Sequence, residues 1–186
     1  MVAAVQRSFV LGGARSGKSA HAEALAHDTG KEVVYIATAQ AGDTEMARRI
    51  ALHRSRRSAA WRTLEEPLAL ADALREWSTP QRVLLIDCLT VWLSNLLFSE
   101  RHDYPDTGVI QPPQRFDDER AAFLAALAAS TGDVVLVSNE VGMGIVPMGA
   151  VSRWYADEAG RLNQAVAACC ERVVFVAAGL PLVLKG

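Results

Sequence analysis

The chain has 186 residues and a formal net charge of −2. This length accommodates one compact domain with a sizeable core, and the near-neutral charge argues against a protein that coats nucleic acid or an anionic membrane. We therefore expect no nucleic-acid partner. No apolar stretch approaches the length needed to cross a bilayer, so we also expect no membrane span. The three cysteines lack the C-x-x-C spacing of zinc and redox sites, which favours a reduced, cytoplasmic protein.

Short runs rich in valine, isoleucine and leucine recur along the chain, each apolar on both alternating faces. This pattern is typical of strands buried by helices above and below. The predicted strands are 8–11, 32–38, 82–87, 133–139, 172–179 and an edge piece at 181–185. The predicted helices are 17–28, 43–57, 67–77, 89–99, 114–130 and 152–170. The alternation predicts an α/β fold with a mainly parallel sheet covered on both faces, in one domain over residues 1–186.

A glycine-rich turn joins the first predicted strand to the first helix. Residues 12–19, GGARSGKS, match the pattern G-x-x-x-x-G-K-[ST] in full. Glycines let backbone N–H groups surround phosphate oxygens, and the helix N-terminus adds positive potential. Lys18 can reach the β- and γ-phosphates in a catalytic role, and the Ser19 hydroxyl can bind Mg²⁺. The predicted nucleotide-binding residues are Gly12, Gly13, Ala14, Arg15, Ser16, Gly17, Lys18 and Ser19.

Asp87 ends the predicted strand RVLLID, the arrangement of an acid that orients Mg²⁺ opposite a phosphate loop. Many strands end in aspartate, but a phosphate loop upstream makes metal organisation the better interpretation. The Asn-Lys-x-Asp motif that reads guanine in GTPase switches is absent from the sequence. A motor would usually be longer. The switch and motor classes are therefore disfavoured.

One histidine lies among arginines between residues 45 and 67. On a helix, Arg49, His53 and Arg57 share one face, with Arg56 beside it. The arginines can bind polyphosphate oxygens, and their charge favours a neutral imidazole whose lone pair can attack phosphorus. Periodicity alone favours a simpler interpretation, a solvated basic face with an incidental histidine.

The segment NEVGMGIVP at residues 139–147 follows the fourth of the predicted strands. Its glycines either let the backbone approach a ligand at the carboxyl edge of the sheet or form a turn that needs positive φ. The position favours the first interpretation. Met143 and Met148 are interpreted as packing residues.

Seven segments, in chain order, carry a resemblance to a known family. They are residues 12–26, 35–40, 43–54, 61–67, 85–98, 135–147 and 159–186, with NEVGMGIVP and GRLNQ the most distinctive motifs. Over nearly its whole length the chain resembles the bifunctional adenosylcobinamide kinase/adenosylcobinamide-phosphate guanylyltransferases of cobalamin biosynthesis. The resemblance implies a RecA-type P-loop fold and homotrimers with nucleotide sites near subunit boundaries.

The resemblance also implies two activities. The family phosphorylates the aminopropanol hydroxyl of adenosylcobinamide with ATP or GTP. It then transfers GMP from GTP to that phosphate through a guanylyl-histidine intermediate, which gives adenosylcobinamide-GDP and pyrophosphate. The resemblance therefore favours a catalytic His53 over an incidental histidine on a solvated face. Mg²⁺ is the expected cofactor.

The family's site residues transfer to matching positions of this chain. His53 corresponds to the guanylylated histidine, and Gly12 to Ser19 correspond to the phosphate-binding positions. Further nucleotide contacts implied by the resemblance are Ala37, Thr38, Ala39, Arg54, Ser55, Arg56, Arg57, Glu65 and Asp87.

One position departs from the family pattern: some relatives carry two adjacent histidines where this chain has Leu52-His53. The assignment to His53 assumes that the second histidine of that pair is the nucleophile. Two alternatives to the bifunctional enzyme stay open. One is a P-loop kinase in which His53 is not catalytic, and the other is a nucleotide-responsive binding module without transfer chemistry.

Overall fold

Seven strands and five helices make up the regular structure of the described residues, which in the computed structural model are 4–40, 44, 48, 58–101 and 103–186. The strands are β1 (Arg7–Gly12), β2 (Glu32–Ala37), β3 (Arg62–Glu65), β4 (Arg82–Asp87), β5 (Asp133–Asn139), β6 (Arg172–Ala177) and β7 (Leu180–Lys185). The helices are α1 (Lys18–Asp28), α2 (Leu70–Trp77), α3 (Leu89–Leu97), α4 (Gln114–Ala128) and α5 (Ala150–Cys169). The helix predicted over 43–57 lies almost wholly outside the described residues.

All seven strands belong to one sheet in the order β3-β2-β4-β5-β1-β6-β7. The first six are parallel, and β7 returns antiparallel to β6 as the predicted edge hairpin. Because parallel strands end at the same edge, the sheet collects the segments that follow β1, β2, β3, β4 and β5 along one side. The prediction of a mainly parallel α/β sheet is confirmed.

The described helices cover the sheet unequally. Ala22 and Ala26 of α1 pack on one face, against residues such as Val10 and Tyr35. Helices α2 to α5 cover the other face, where the larger of the two buried clusters includes Trp92 and Phe123. Both strand faces are apolar because both are buried, as the unbroken valine and leucine runs predicted. Within the described part of the chain, no helix is both long and apolar enough to cross a bilayer.

The structure corrects three expectations. Strand β3 was not predicted, because at the sheet edge its residues are exposed except for the half-buried Leu64 and give no buried apolar run. Met143 and Met148 do not pack: their side chains are 78% and 92% exposed, because they lie on a loop that follows β5 outside both buried clusters. The glycines Gly142 and Gly144 do not have positive φ, so the turn explanation for them is wrong.

Candidate nucleotide site

The phosphate loop, residues 12–19, leaves the middle of the sheet and enters α1. Arg15 and Gly17 have φ of 56° and 94°, and the Ser16 N–H donates to the Gly13 carbonyl at 3.2 Å. Left-handed residues within a turn direct successive N–H groups to one side, which creates a concave site for anions. The loop is held from outside by the Gly179 N–H, which donates to the Ser16 carbonyl at 2.8 Å.

Gly12 has no room for a side chain. A Cβ at this position would lie 2.4 Å from the Val176 carbonyl oxygen and 2.5 Å from Ser16 Oγ. The same atom at Gly13 would meet nothing within 4 Å. Gly12 therefore allows close packing against β6, and Gly13 faces open space where a ligand can approach.

Lys18 is buried at the start of α1, and its ammonium group donates to the Gly13 carbonyl at 3.1 Å. The bond spans the loop, so the positive charge is held next to the backbone that would surround the phosphates. Ser16 Oγ is buried and has no hydrogen-bond partner among the described residues. A left-handed turn, a retained ammonium and an unpaired hydroxyl are the features expected of an anion cradle.

The strand register brings the other predicted residues to the same edge of the sheet. Gly12 pairs with Asn139 of β5 and Val176 of β6, while Ala37 pairs with both Glu65 and Asp87. At about 4.8 Å per strand, Asp87 lies two spacings, or about 10 Å, from Gly12 along the sheet edge. Glu65 lies four spacings away, about 19 Å. Asp87 and Glu65 therefore lie on the same side of the phosphate loop along this edge, with Asp87 the nearer of the two.

Asp87 is half-buried and is oriented by a neighbouring strand. The Tyr35 hydroxyl donates to Asp87 Oδ2 at 3.0 Å. The Lys18 ammonium and the Asp87 carboxylate both act on Cys88: burial and the Asp87 charge raise the pKa of the Cys88 thiol, and the Lys18 charge lowers it by a smaller amount. Both charges therefore act on Cys88, the residue that directly follows Asp87.

Thr38 connects the ends of β2 and β4. Its hydroxyl donates to the Cys88 carbonyl at 2.8 Å and accepts from the Cys88 N–H at 2.9 Å. Asn95 of α3 donates to the Thr38 carbonyl at 2.8 Å. Ala37 and Ala39, on either side, are half-buried. The buried Thr38 side chain is thus used to hold the two strand ends together.

A further group of polar side chains at this edge, around Thr90, could not be predicted from the sequence. The Asn139 N–H and Nδ2 donate to the Thr90 hydroxyl at 2.9 and 3.0 Å, and the Tyr155 hydroxyl donates to the Thr90 carbonyl at 2.6 Å. Burial raises the pKa of Tyr155 well above its ordinary value, so its proton stays in this bond. Thr90 and Asn139 lie in or beside apolar runs and are 49 residues apart, so only the fold shows that they meet.

The structure brings together the phosphate loop, Ala37 to Ala39, Glu65 and Asp87 along one sheet edge. The predicted nucleophile and its neighbours, His53, Arg54, Ser55, Arg56 and Arg57, lie outside the described residues, as does Arg49 of the same predicted face. The described residues therefore contain the half of the predicted site that includes the phosphate loop.

The fold and this edge define a P-loop nucleotide-binding protein. Two solved structures share the fold: the protein PH0250 of Pyrococcus horikoshii (TM-score 0.52, 8% identity, 100% of this chain and 89% of that chain) and the ATPase EscN of the enteropathogenic E. coli type III secretion system (TM-score 0.52, 12% identity, 94% of this chain and 43% of that chain). The likeness shows fold alone. The predicted RecA-like P-loop class is confirmed.

Sequence comparison gives the family. The model for "cobinamide kinase / cobinamide phosphate guanyltransferase" matches residues 8–184. The chain is 58% identical over 180 residues to the bifunctional adenosylcobalamin biosynthesis protein CobP of Pseudomonas aeruginosa, covering 97% of this chain and 98% of CobP. It is 44% identical over 179 residues to CobU of Escherichia coli, covering 95% of this chain and 98% of CobU. The chain belongs to this family of cobalamin-biosynthesis enzymes, and the predicted membership is confirmed.

Proposed function

We propose that this protein catalyses two consecutive transfers to one corrinoid. It phosphorylates the aminopropanol hydroxyl of adenosylcobinamide with ATP or GTP, and then transfers GMP from GTP to the new phosphate. The products are adenosylcobinamide-GDP and pyrophosphate. The observation that carries this proposal is a complete phosphate loop with a buried Lys18, and Asp87 at the same edge of the sheet, in a chain of the cobinamide kinase/guanyltransferase family.

In the kinase step the substrate hydroxyl oxygen attacks the γ-phosphorus. The bond to the β-γ bridging oxygen breaks, the nucleoside diphosphate leaves, and the hydroxyl proton passes to solvent. Lys18 and the loop N–H groups hold the phosphates and stabilise the charge that develops on them. Tyr35 keeps the Asp87 carboxylate in place.

The site residues fit Mg²⁺. The Ser19 hydroxyl and the Asp87 carboxylate are oxygen donors, and Mg²⁺ typically takes one or two such protein ligands together with phosphate oxygens and water. When bound, the ion neutralises phosphate charge. Ser19 is half-buried at the first turn of α1, directly after Lys18.

In the guanylyl step a neutral His53 imidazole attacks the α-phosphorus of GTP. A P–N bond forms, pyrophosphate leaves, and a guanylyl-histidine results. An oxygen of adenosylcobinamide phosphate then attacks the same phosphorus and the imidazole leaves, so that atoms and charge balance over the two displacements. Support comes from the family match and from the arginines around His53 in the sequence, Arg54, Arg56 and Arg57, which can bind phosphate oxygens.

Glu65 and the segment Ala37 to Ala39 are proposed to contact the nucleotide beyond its phosphates. Support comes from the family match and from the position of these residues on the sheet edge that also carries the phosphate loop. We further propose that residues 1–186 form one functional unit and that the protein assembles as a homotrimer. The unpaired cysteines Cys88, Cys169 and Cys170 suit a reducing compartment, the cytoplasm.

Two labels test the proposal. The protein is incubated with Mg²⁺, adenosylcobinamide and GTP that carries ³²P in either the γ- or the α-phosphate. We expect γ-label on the corrinoid early, and later α-label on the corrinoid with release of pyrophosphate. Transfer of γ-label alone would leave a P-loop kinase in which His53 is not catalytic. Saturable GTP binding without any labelled corrinoid would leave a nucleotide-responsive binding module.

A further inference from the structure

An uncharged loop of large apolar side chains follows β5. We use the name apolar loop for residues 141–149, VGMGIVPMG, which contain no charged residue. Ile145 is 98% exposed, Met143 and Met148 are similarly exposed, and Val146 is 71% exposed. Single exposed apolar residues are ordinary, but four within six positions are not.

The apolar loop is held at both ends by polar contacts. The Glu140 carboxylate accepts from the Gly142 N–H at 2.7 Å, where the loop begins. Where it ends, the Arg153 guanidinium donates to the Pro147 carbonyl at 3.0 Å and also to the Met148 carbonyl. The Ala150 N–H donates to the Asp106 carbonyl. These bonds fix the backbone on which the apolar side chains are exposed.

The apolar loop starts next to the phosphate loop. Asn139, the last residue of β5, pairs directly with Gly12, and the Glu140 N–H donates to the Gly12 carbonyl at 3.1 Å. The apolar surface therefore begins one residue after a backbone bond to the residue that opens the anion site. A molecule that lies on it is close enough to present one end to phosphates bound in that site.

We propose that Met143, Ile145, Val146 and Met148 form the docking surface for a face of the corrin ring of the substrate. This inference rests on the proposed function, which requires a corrinoid hydroxyl beside the γ-phosphate. A corrin ring presents a broad hydrocarbon face with its amide groups at the rim. An uncharged apolar surface buries that face, and flexible methionine side chains adapt to its uneven relief.

The other large exposed apolar group does not suit this role. Leu182, Val183 and Leu184 lie on β7, which runs antiparallel to β6 and so leads away from the edge that carries the phosphate loop. Leu184 thus offers a matched control: it is 58% exposed and apolar but stands outside the site.

The test compares Ile145→Ser and Met143→Ser with Leu184→Ser. Binding of adenosylcobinamide is measured by equilibrium dialysis, using the visible absorbance of the corrin, and its KM is measured with γ-labelled GTP. We expect Kd and KM for the corrinoid to rise about tenfold for each loop variant, since a buried Ile or Met side chain contributes an order of magnitude or more to an equilibrium constant. The Kd for GTP should stay within twofold, and Leu184→Ser should behave as wild type.

Three outcomes would overturn the inference. Unchanged corrinoid Kd in both loop variants, or an equal loss in Leu184→Ser, would remove the apolar loop as the docking surface. A loss of assembly in sedimentation, with corrinoid Kd unchanged, would make this loop a contact between copies of the chain instead. Failure of the proposed function is distinguishable, because then wild type itself transfers no label to the corrinoid.

Discussion

Replacement of Gly12 by alanine should destabilise the protein before any nucleotide is added. The added Cβ would lie 2.4 Å from the Val176 carbonyl oxygen, far inside van der Waals contact, and 2.5 Å from Ser16 Oγ. The nearer atom belongs to the backbone of β6, which is paired with a strand on each side and so cannot move freely. One of the two strands must shift, and β1 is bonded on its other side to β5.

The expected cost is that of an overpacked core, about 1–3 kcal/mol. In a chain of this length, 1 kcal/mol lowers Tm by about 2–4 °C, so Gly12→Ala should melt about 2–12 °C below wild type. Gly13→Ala is the matched control, since its Cβ would meet nothing within 4 Å. We expect its Tm within about 2 °C of wild type, because nothing in the nucleotide-free loop resists the added methyl.

The measurement is thermal unfolding by circular dichroism, together with urea unfolding of the same three proteins without nucleotide. Equal Tm values for the two variants would refute the packing argument, and with it the view that the first glycine serves contact with β6. A larger loss in Gly13→Ala than in Gly12→Ala would refute it more strongly.

Two further predictions concern the buried side chains of Tyr35, Cys88 and Cys170. Tyr35→Phe removes the hydrogen bond to Asp87, worth about 1 kcal/mol, and should raise the Mg²⁺ concentration for half-maximal kinase activity about fivefold. In the control Tyr104→Phe, the lost hydroxyl is one that donates to the Leu97 carbonyl and not to Asp87. This variant should leave the Mg²⁺ concentration for half-maximal activity unchanged. Burial raises the pKa of Cys170 to about 12 and also raises that of Cys88, so at pH 8 both stay protonated and should resist iodoacetamide until the protein is denatured. Rapid alkylation of either in the folded protein, read by mass spectrometry, would contradict this.

The features that the sequence predicted well are local ones. The phosphate loop is eight contiguous residues whose backbone geometry follows from glycine at defined positions, so the motif and the structure agree. The central strands were equally legible, because burial on both faces requires unbroken apolar runs. Asp87 could be placed because strand and turn are adjacent in sequence.

The features that the sequence did not predict depend on distant partners. Strand β3 is recognised by its pairing with β2, since its own residues are exposed. The bond from Tyr35 to Asp87 joins residues 52 apart and needs the register of β2 with β4. Met143 is exposed on a loop whose far end is held by contacts with Arg153 and Asp106, and nothing in the local pattern encodes those contacts.

The central claim, that GMP is transferred through a guanylyl-histidine at His53, has a direct test. Wild type, His53→Ala and the control His27→Ala, in which an exposed histidine of α1 is replaced, are incubated with Mg²⁺ and α-labelled GTP without corrinoid. We expect wild type and His27→Ala to carry covalent label that is stable to base and lost in acid, and His53→Ala to carry none. Equal labelling of His53→Ala, or no label on any of the three proteins, would contradict a guanylyl-histidine at this position.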